Sequence, residues 1–296
     1  MPSPPPRTTE KGMSIIMEKA LKRSFFIFVI PTLAAFIIGF IVPFILGLWL
    51  SLNEFIVIQD ATFVGFKNYV RAFADGRLLY SLGFTALFTA VSLILINVIA
   101  FALAMMLTKK LKGTNIFRTI FFMPNLIGGI VLGYIWQLII NGVLVRFDLV
   151  LTLRASYGFW GLIILVCWQQ IGYMMIIYIA GLQTIPADLN EAAAIDEASG
   201  PQKLFRITIP MMMPSITICT FLTVTNGFKL FDQNLALTDG EPAKATEMLA
   251  LNIFHTFYGR TGFAGVGQAK AVMFFVLVVI LGLLQLRVTR SKEVQY

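Results

Sequence analysis

Six apolar runs, each about long enough to cross a lipid bilayer, constrain this chain more than any other feature. They lie at about residues 25–50, 79–107, 117–140, 157–181, 208–230 and 270–287. A hydrocarbon core of about 30 Å needs roughly 20 helical residues. Inside lipid every backbone polar group must be bonded within the protein, so such runs fold as helices. The expected fold is therefore all-α: a polytopic membrane helix bundle with six transmembrane helices. Composition agrees. The chain is 58% hydrophobic and only 13% charged, about half the charged share of a soluble domain. A single soluble core has no room for that much apolar surface.

The charges orient the runs. The first is too long for a signal-peptide core and has no small-residue cleavage site after it, so it reads as a retained anchor. With the N-terminus in the cytoplasm, the inner segments 1–24, 108–118, 182–207 and 287–296 hold 14 of the 23 Lys and Arg residues. The tract Lys109, Lys110, Lys112 and Arg118 contributes most clearly to this positive-inside bias. The expected organisation is a cytoplasmic N-terminal tail over 1–24, disordered at its Pro-rich start, a transmembrane domain over 25–287 and a cytoplasmic C-terminal tail over 288–296. The net charge of +8 follows from the same bias, and no basic-aromatic cluster in a soluble segment points to nucleic acid. Cys167 and Cys219 fall inside apolar runs and read as buried inert thiols. The lone His255 has no second ligand nearby, so no metal site is expected.

One segment between the fourth and fifth runs, residues 184–210, departs from the pattern. It reads Pro186-Ala-Asp-Leu-Asn-Glu191-Ala192-Ala193-Ala194-Ile195-Asp196-Glu197-Ala198-Ser199-Gly200 and continues to Ile207-Thr-Ile-Pro210. Pro186 suits a first helical turn and the alanines favour helix, with Thr184 as the expected cap and Gly200-Pro201 as the stop. A second short turn is expected over Gln202–Arg206. The helix combines small residues with the acids Glu191, Asp196 and Glu197. Such a helix suits insertion into a groove on a partner. A helix lying on anionic lipid would present a basic face instead.

This segment resembles the EAA loop of permeases from importers of the ATP-binding-cassette type. Glu191, Ala192, Ala193, Ile207 and Pro210 stand at the family's spacing; Ile209 replaces its Leu, and Glu197 replaces its Gly, with Gly200 three residues on as the expected source of the bend. Trp168-Gln-Gln-Ile-Gly-Tyr173, Ile185-Pro186 and Leu237-Thr-Asp-Gly240-Glu-Pro242 are similar to the sugar-permease branch, maltose type, and the likeness spans about residues 20–290.

The resemblance implies a transport permease subunit rather than an enzyme. Two permeases, here a related and non-identical pair, form the path. Two ATPase subunits bind ATP and Mg and drive it, and an extracellular or periplasmic binding protein delivers the sugar. This chain has no phosphate-cradling Gly-rich motif, so it is expected to bind no cofactor itself. The cell membrane of a prokaryote is the implied location. The resemblance implies ATPase coupling through Glu191, Ala192, Ala193, Ile195, Asp196, Glu197, Ala198, Gly200 and Pro210. Glu191 would pair with a basic group, Ala192 and Ala193 would allow close approach, Ile195 and Ala198 would pack, and Glu197 would sit at the bend.

Sugars need hydrogen-bonding groups beside flat apolar faces. By the resemblance, Gln169, Gln170 and Tyr173 on the fourth run, with Thr223, Asn226, Gly227 and Leu230 on the fifth, fall on the sugar-contacting positions of the maltose-type permease; Tyr173 matches in type and several others do not, which implies a different sugar. The competing use of such residues is helix–helix hydrogen bonding, the role expected for Asn97, Asn125 and Gln137. Lys229 and Asp232 are expected to pair. Two other function classes fit less well. An ion-coupled secondary transporter wants ionisable residues within its spans, and these runs are nearly free of them. A membrane enzyme wants a nucleophile–base pair, paired carboxylates or a metal cluster, and none is visible. A glycerol-phosphate importer of the same family would want Arg or Lys in the path, where only Lys229 comes near.

Overall fold

The computed structural model describes residues 25–27, 29–109 and 112–291. The expected tail over residues 1–24, Lys110 and the last residues, 292–296, lie outside the described residues. Twelve helices are introduced in chain order. They are α1 (Phe25–Ser51), α2 (Lys67–Ala74), α3 (Gly76–Leu107), α4 (Thr114–Phe122), α5 (Gly129–Leu144) and α6 (Ala155–Gln183). They continue with α7 (Ala187–Ile195), α8 (Gly200–Met211), α9 (Met213–Phe228), α10 (Asp232–Leu237), α11 (Leu249–Tyr258) and α12 (Ala264–Arg290). A two-stranded antiparallel ribbon, β1 (Asn53–Glu54) and β2 (Thr62–Phe63), follows α1. Among the described residues, five helices are long and apolar enough to span a membrane, or six with α8 and α9 as one bent span. The fold is the all-α membrane bundle read from the sequence.

The long helices share a simple construction. α3 opens on Asp75, whose carboxylate accepts the Arg77 N–H at 3.2 Å. Its buried stripe runs through Ser81, Thr85, Phe88, Ser92, Ile96, Ala100 and Ala104, spaced three or four apart. Small residues on such a stripe let another backbone approach closely, which is how helices associate once lipid removes the hydrophobic driving force. α3 packs mainly on α6, and α9 fits against α3, α6 and α12. α6 is the axis of the bundle: 61% of its apolar window is buried, against 0% for α1, whose contacts are mostly with α12. Gly172 on α6 sits where α4 ends. A Cβ there would overlap the Phe121 carbonyl, so only glycine allows the crossing.

Three expected spans differ in detail. The third, read as 117–140, is divided by a short turn over Met123–Leu126 that carries Pro124. The fifth, read as 208–230, is bent by 71° between α8 and α9 at Met212. Pro210 and Pro214 flank this break, and Pro214 sits in the first turn of α9, where its missing N–H costs nothing. The sixth helix begins earlier than expected, at Ala264, and runs to Arg290.

Candidate functional site

The segment expected to couple to a partner projects from one end of the bundle, where α6 ends and α9 begins. Its first helix, α7, is entered through Pro186 with no side-chain cap. Thr184 does not cap it; its hydroxyl donates back to the Gly181 carbonyl at 2.8 Å and closes α6 instead. α7 ends in a double closure: Ala198 N–H donates to the Ala193 carbonyl at 2.9 Å and Glu197 N–H to that of Ala194 at 3.2 Å. This pattern needs a left-handed residue, and Glu197 supplies it at φ 51. The bend therefore lies at Glu197 and not at Gly200, which instead opens α8. There Ser199 and Gln202 form a reciprocal capping box. The expected turn over Gln202–Arg206 is part of α8, whose Leu204–Thr208 stretch is wound as a π-turn. π-turns occur frequently at functional sites.

The motif residues divide between two faces. Leu189, Ala192, Ala193 and Asp196 lie along one stripe of α7. With Ala198, Gln202, Lys203, Arg206 and Ile207 they line a cleft of about 360 Å³ between α7 and α8. Ala193 is buried against its own chain, and Ala192 beside it is exposed. Glu191 and Ile195 lie off this stripe and are exposed, Ile195 to 82%. Pro210 is half-buried, just before the 71° break.

The residues expected to meet sugar are less uniform. Gln169 is spent on tertiary hydrogen bonds. Its Oε1 accepts from Gln233 Nε2 at 2.8 Å and its Nε2 donates to the Ile127 carbonyl at 3.4 Å. Thr223 accepts from Asn97 Nδ2 at 3.2 Å, and Asn97 Oδ1 accepts the Tyr178 hydroxyl at 2.7 Å, which ties α9, α3 and α6 together. Gly227 presses on Thr89, where a Cβ would stand 2.7 Å from Oγ1, and Leu230 is in the apolar core. Thr223, Gly227 and Leu230 thus serve helix packing in this conformation. Gln170 is buried, yet its Oε1 has no partner among the described residues. Tyr173 and Asn226 are half-buried. Gln137 binds the Leu237 carbonyl at 3.1 Å, a helix-bonding role like that of Asn97. No ion pair joins Lys229 to Asp232 among the described residues. Both thiols are buried and free.

Sequence reasoning missed a buried ionic cluster at the opposite end of the bundle. Lys270 on α12 is wholly buried. Its Nζ donates to Asp75 Oδ2 at 2.8 Å, Asn252 Oδ1 at 2.9 Å and Thr256 Oγ1 at 2.9 Å. Asn252 in turn donates to the buried Glu247 at 2.8 Å. The Glu247 carboxylate holds His255 Nδ1 at 2.5 Å, and His255 Nε2 lies 3.1 Å from Asp239. The cluster fastens α11, α12 and the start of α3. Burial alone would raise the Asp75 pKa, but the Lys270 hydrogen bond and charge outweigh it and hold the carboxyl below its ordinary value. Lys270 sat at the edge of an apolar run, and nothing local revealed that α12 begins a turn and a half before it.

Comparisons with known proteins converge. A model of the family described as binding-protein-dependent transport system inner membrane component matches residues 104–293. The probable starch degradation products transport system permease protein AmyD of Thermoanaerobacterium thermosulfurigenes is 39% identical, with 92% of this chain and 95% of that protein covered. The trehalose/maltose transport system permease protein MalF of Thermococcus litoralis is 29% identical over 90% and 94%. The sn-glycerol-3-phosphate transport system permease protein UgpA of Brucella abortus is 29% identical over 80% and 83%. The fold matches a chain of a bacterial ABC transporter involved in the import of the acidic polysaccharide alginate, with a TM-score of 0.78, 19% identity and coverage of 93% and 98%.

Proposed function

Because the chain belongs to the binding-protein-dependent transport system inner membrane component family, we propose that it is one membrane-spanning half of an ATP-driven importer of sugars, oligosaccharides above all. It is a permease subunit and not an enzyme. Its partners in this reading are a second, related permease, two ATPase subunits that carry ATP and Mg, and an external sugar-binding protein. The location is the cytoplasmic membrane of a prokaryote, with both termini inside.

The observation that carries the coupling role is the geometry of α7. It is a short helix hung between the ends of two bundle helices, with Glu191 and Ile195 exposed on the face away from its own cleft. Docked in an ATPase groove, Glu191 meets a basic group there, and ATP-driven closure pushes α7 as a lever. Removing one member of a buried charge pair costs about 3–5 kcal/mol. Glu191→Ala is expected to lose sugar uptake or to release the ATPase subunits. Wild-type uptake with that variant would overturn the docking role.

A sugar is favoured over a glycerol phosphate by the placement of cations. A phosphate calls for Arg or Lys beside the path. Lys229 is exposed at the end of α9, and Lys270 is already engaged by Asp75. The groups on α6 and α9 left for a ligand, at Gln170, Tyr173 and Asn226, are neutral hydrogen-bonding groups suited to hydroxyls.

A further inference from the structure

The coupling segment leaves α6 after Gln183 and returns to the bundle at Met213. These two points are drawn together by a neck. Gly181, in the last turn of α6, faces Ser215, in the first turn of α9. The helices are so close here that a Cβ on Gly181 would overlap the Ser215 hydroxyl and stand 3.0 Å from both Ser215 Cβ and the Met212 methyl. Met212, the residue at the 71° break, is fully buried behind this contact. The seam continues up the bundle, where the Cys219 thiol lies 3.8 Å from the Met174 carbonyl.

We propose that Gly181 is a positioning residue for coupling: it keeps this neck closed, so that a push on α7 moves α6 and α9 as one body. This rests on the reading of α7 as the ATPase-docking helix. The mechanical reason is direct. A hinge exists at Met212, where α8 and α9 are not collinear. If the neck were open, displacement of α7 and α8 would be absorbed by flexing at that hinge. With Gly181 of α6 seated against the Ser215 and Met212 side chains one turn from the loop, the hinge has no room to yield sideways, and both helices that carry the candidate sugar groups shift together. The close approach requires glycine at 181 and a small residue at 215, since interiors do not compress to admit an added methyl.

The test uses the assembled transporter purified from its native membrane and reconstituted with its binding protein. The ratio of sugar transported to ATP hydrolysed is read for Gly181→Ala, for Gly181→Ala/Ser215→Gly and for Glu191→Ala. Gly181→Ala should retain ATP hydrolysis while the transport ratio falls tenfold or more. The double variant, which removes the Ser215 atoms the new methyl meets and leaves only the flexible end of Met212 beside it, should return the ratio to within about threefold of wild type. A merely structural role would lower assembly and hydrolysis together and leave the ratio unchanged. The proposal is overturned by an unchanged ratio in Gly181→Ala. A double variant that fails to assemble, or that assembles and stays uncoupled, overturns it equally. If Glu191→Ala transports normally, the docking reading itself fails; if Glu191→Ala uncouples while Gly181→Ala does not, only the neck fails.

Discussion

Replacing Lys270 with methionine probes the least expected feature of this bundle. Methionine keeps the length and apolar character of the stem but removes the ammonium. Three acceptors then lose their donor: Asp75 Oδ2, Asn252 Oδ1 and Thr256 Oγ1. Taking one partner from a buried ion pair costs about 3–5 kcal/mol. The lower end applies here, because Asp75 keeps some solvent exposure, Arg260 at 3.6 Å and the Arg77 N–H. About 3 kcal/mol corresponds to a fall of roughly 6 °C in the melting temperature of a chain this large. Asp75→Asn should cost more, toward about 5 kcal/mol, because it strands a cation with no exposure at all. Asparagine still caps α3, so the difference reports the charge. The assay is thermal unfolding of the purified protein in detergent. Lys270→Met within 1 °C of wild type, or Asp75→Asn milder than Lys270→Met, would show that this pair does not stabilise the bundle as a buried couple. The pair also fixes a pH signature. Asp75 is held below its ordinary value, so its stabilisation is fully present above the unfolded aspartate range, about pH 4. It is lost as pH falls through the lower folded value. Lys270→Met should lack that acid-range loss.

Three further outcomes are expected. Gly172→Ala drives a methyl into the Phe121 carbonyl, a backbone atom that cannot swing aside, and should abolish accumulation of folded protein measured by size-exclusion profile. Glu197→Gly should keep full uptake, since glycine accepts the left-handed conformation freely, whereas a β-branched Glu197→Val pays about 1–2 kcal/mol there and should reduce coupled ATP hydrolysis. Gln170→Ala should raise the KM for sugar several-fold without lowering the melting temperature, because its Oε1 makes no bond among the described residues. Thr223→Ala should do the reverse.

The spans and the connecting helix were legible because their signals are local. Apolar runs of bilayer length admit few folds, and the stretch from Pro186 to Ile195 carries its own helix chemistry. What was hidden depends on tertiary geometry. Pro210 and Pro214 are compatible with either a continuous span or a broken one, and only packing of Met212 and Gly181 decides for the break. Thr184 is a good cap residue for the helix after it, yet α6 persists long enough to claim its hydroxyl. Residue type alone points to Gly200 for the bend, but the α7 closure places the left-handed residue at Glu197, two residues past the last helical one. The candidate sugar residues share types with helix-bonding residues. Composition cannot separate Thr223, which is bonded to Asn97, from Gln170, whose oxygen is left open.

In the proposed mechanism this permease works through an ATPase docked on α7. The most direct measurement is gentle affinity purification of the tagged chain from its native membrane, followed by ATP hydrolysis with and without the external binding protein and candidate sugars. ATPase subunits and a second permease are expected to co-purify, sugar-loaded binding protein to stimulate hydrolysis, and Glu191→Ala to abolish the stimulation. A chain that purifies alone, with no associated hydrolysis before or after adding sugar and binding protein, would contradict this mechanism.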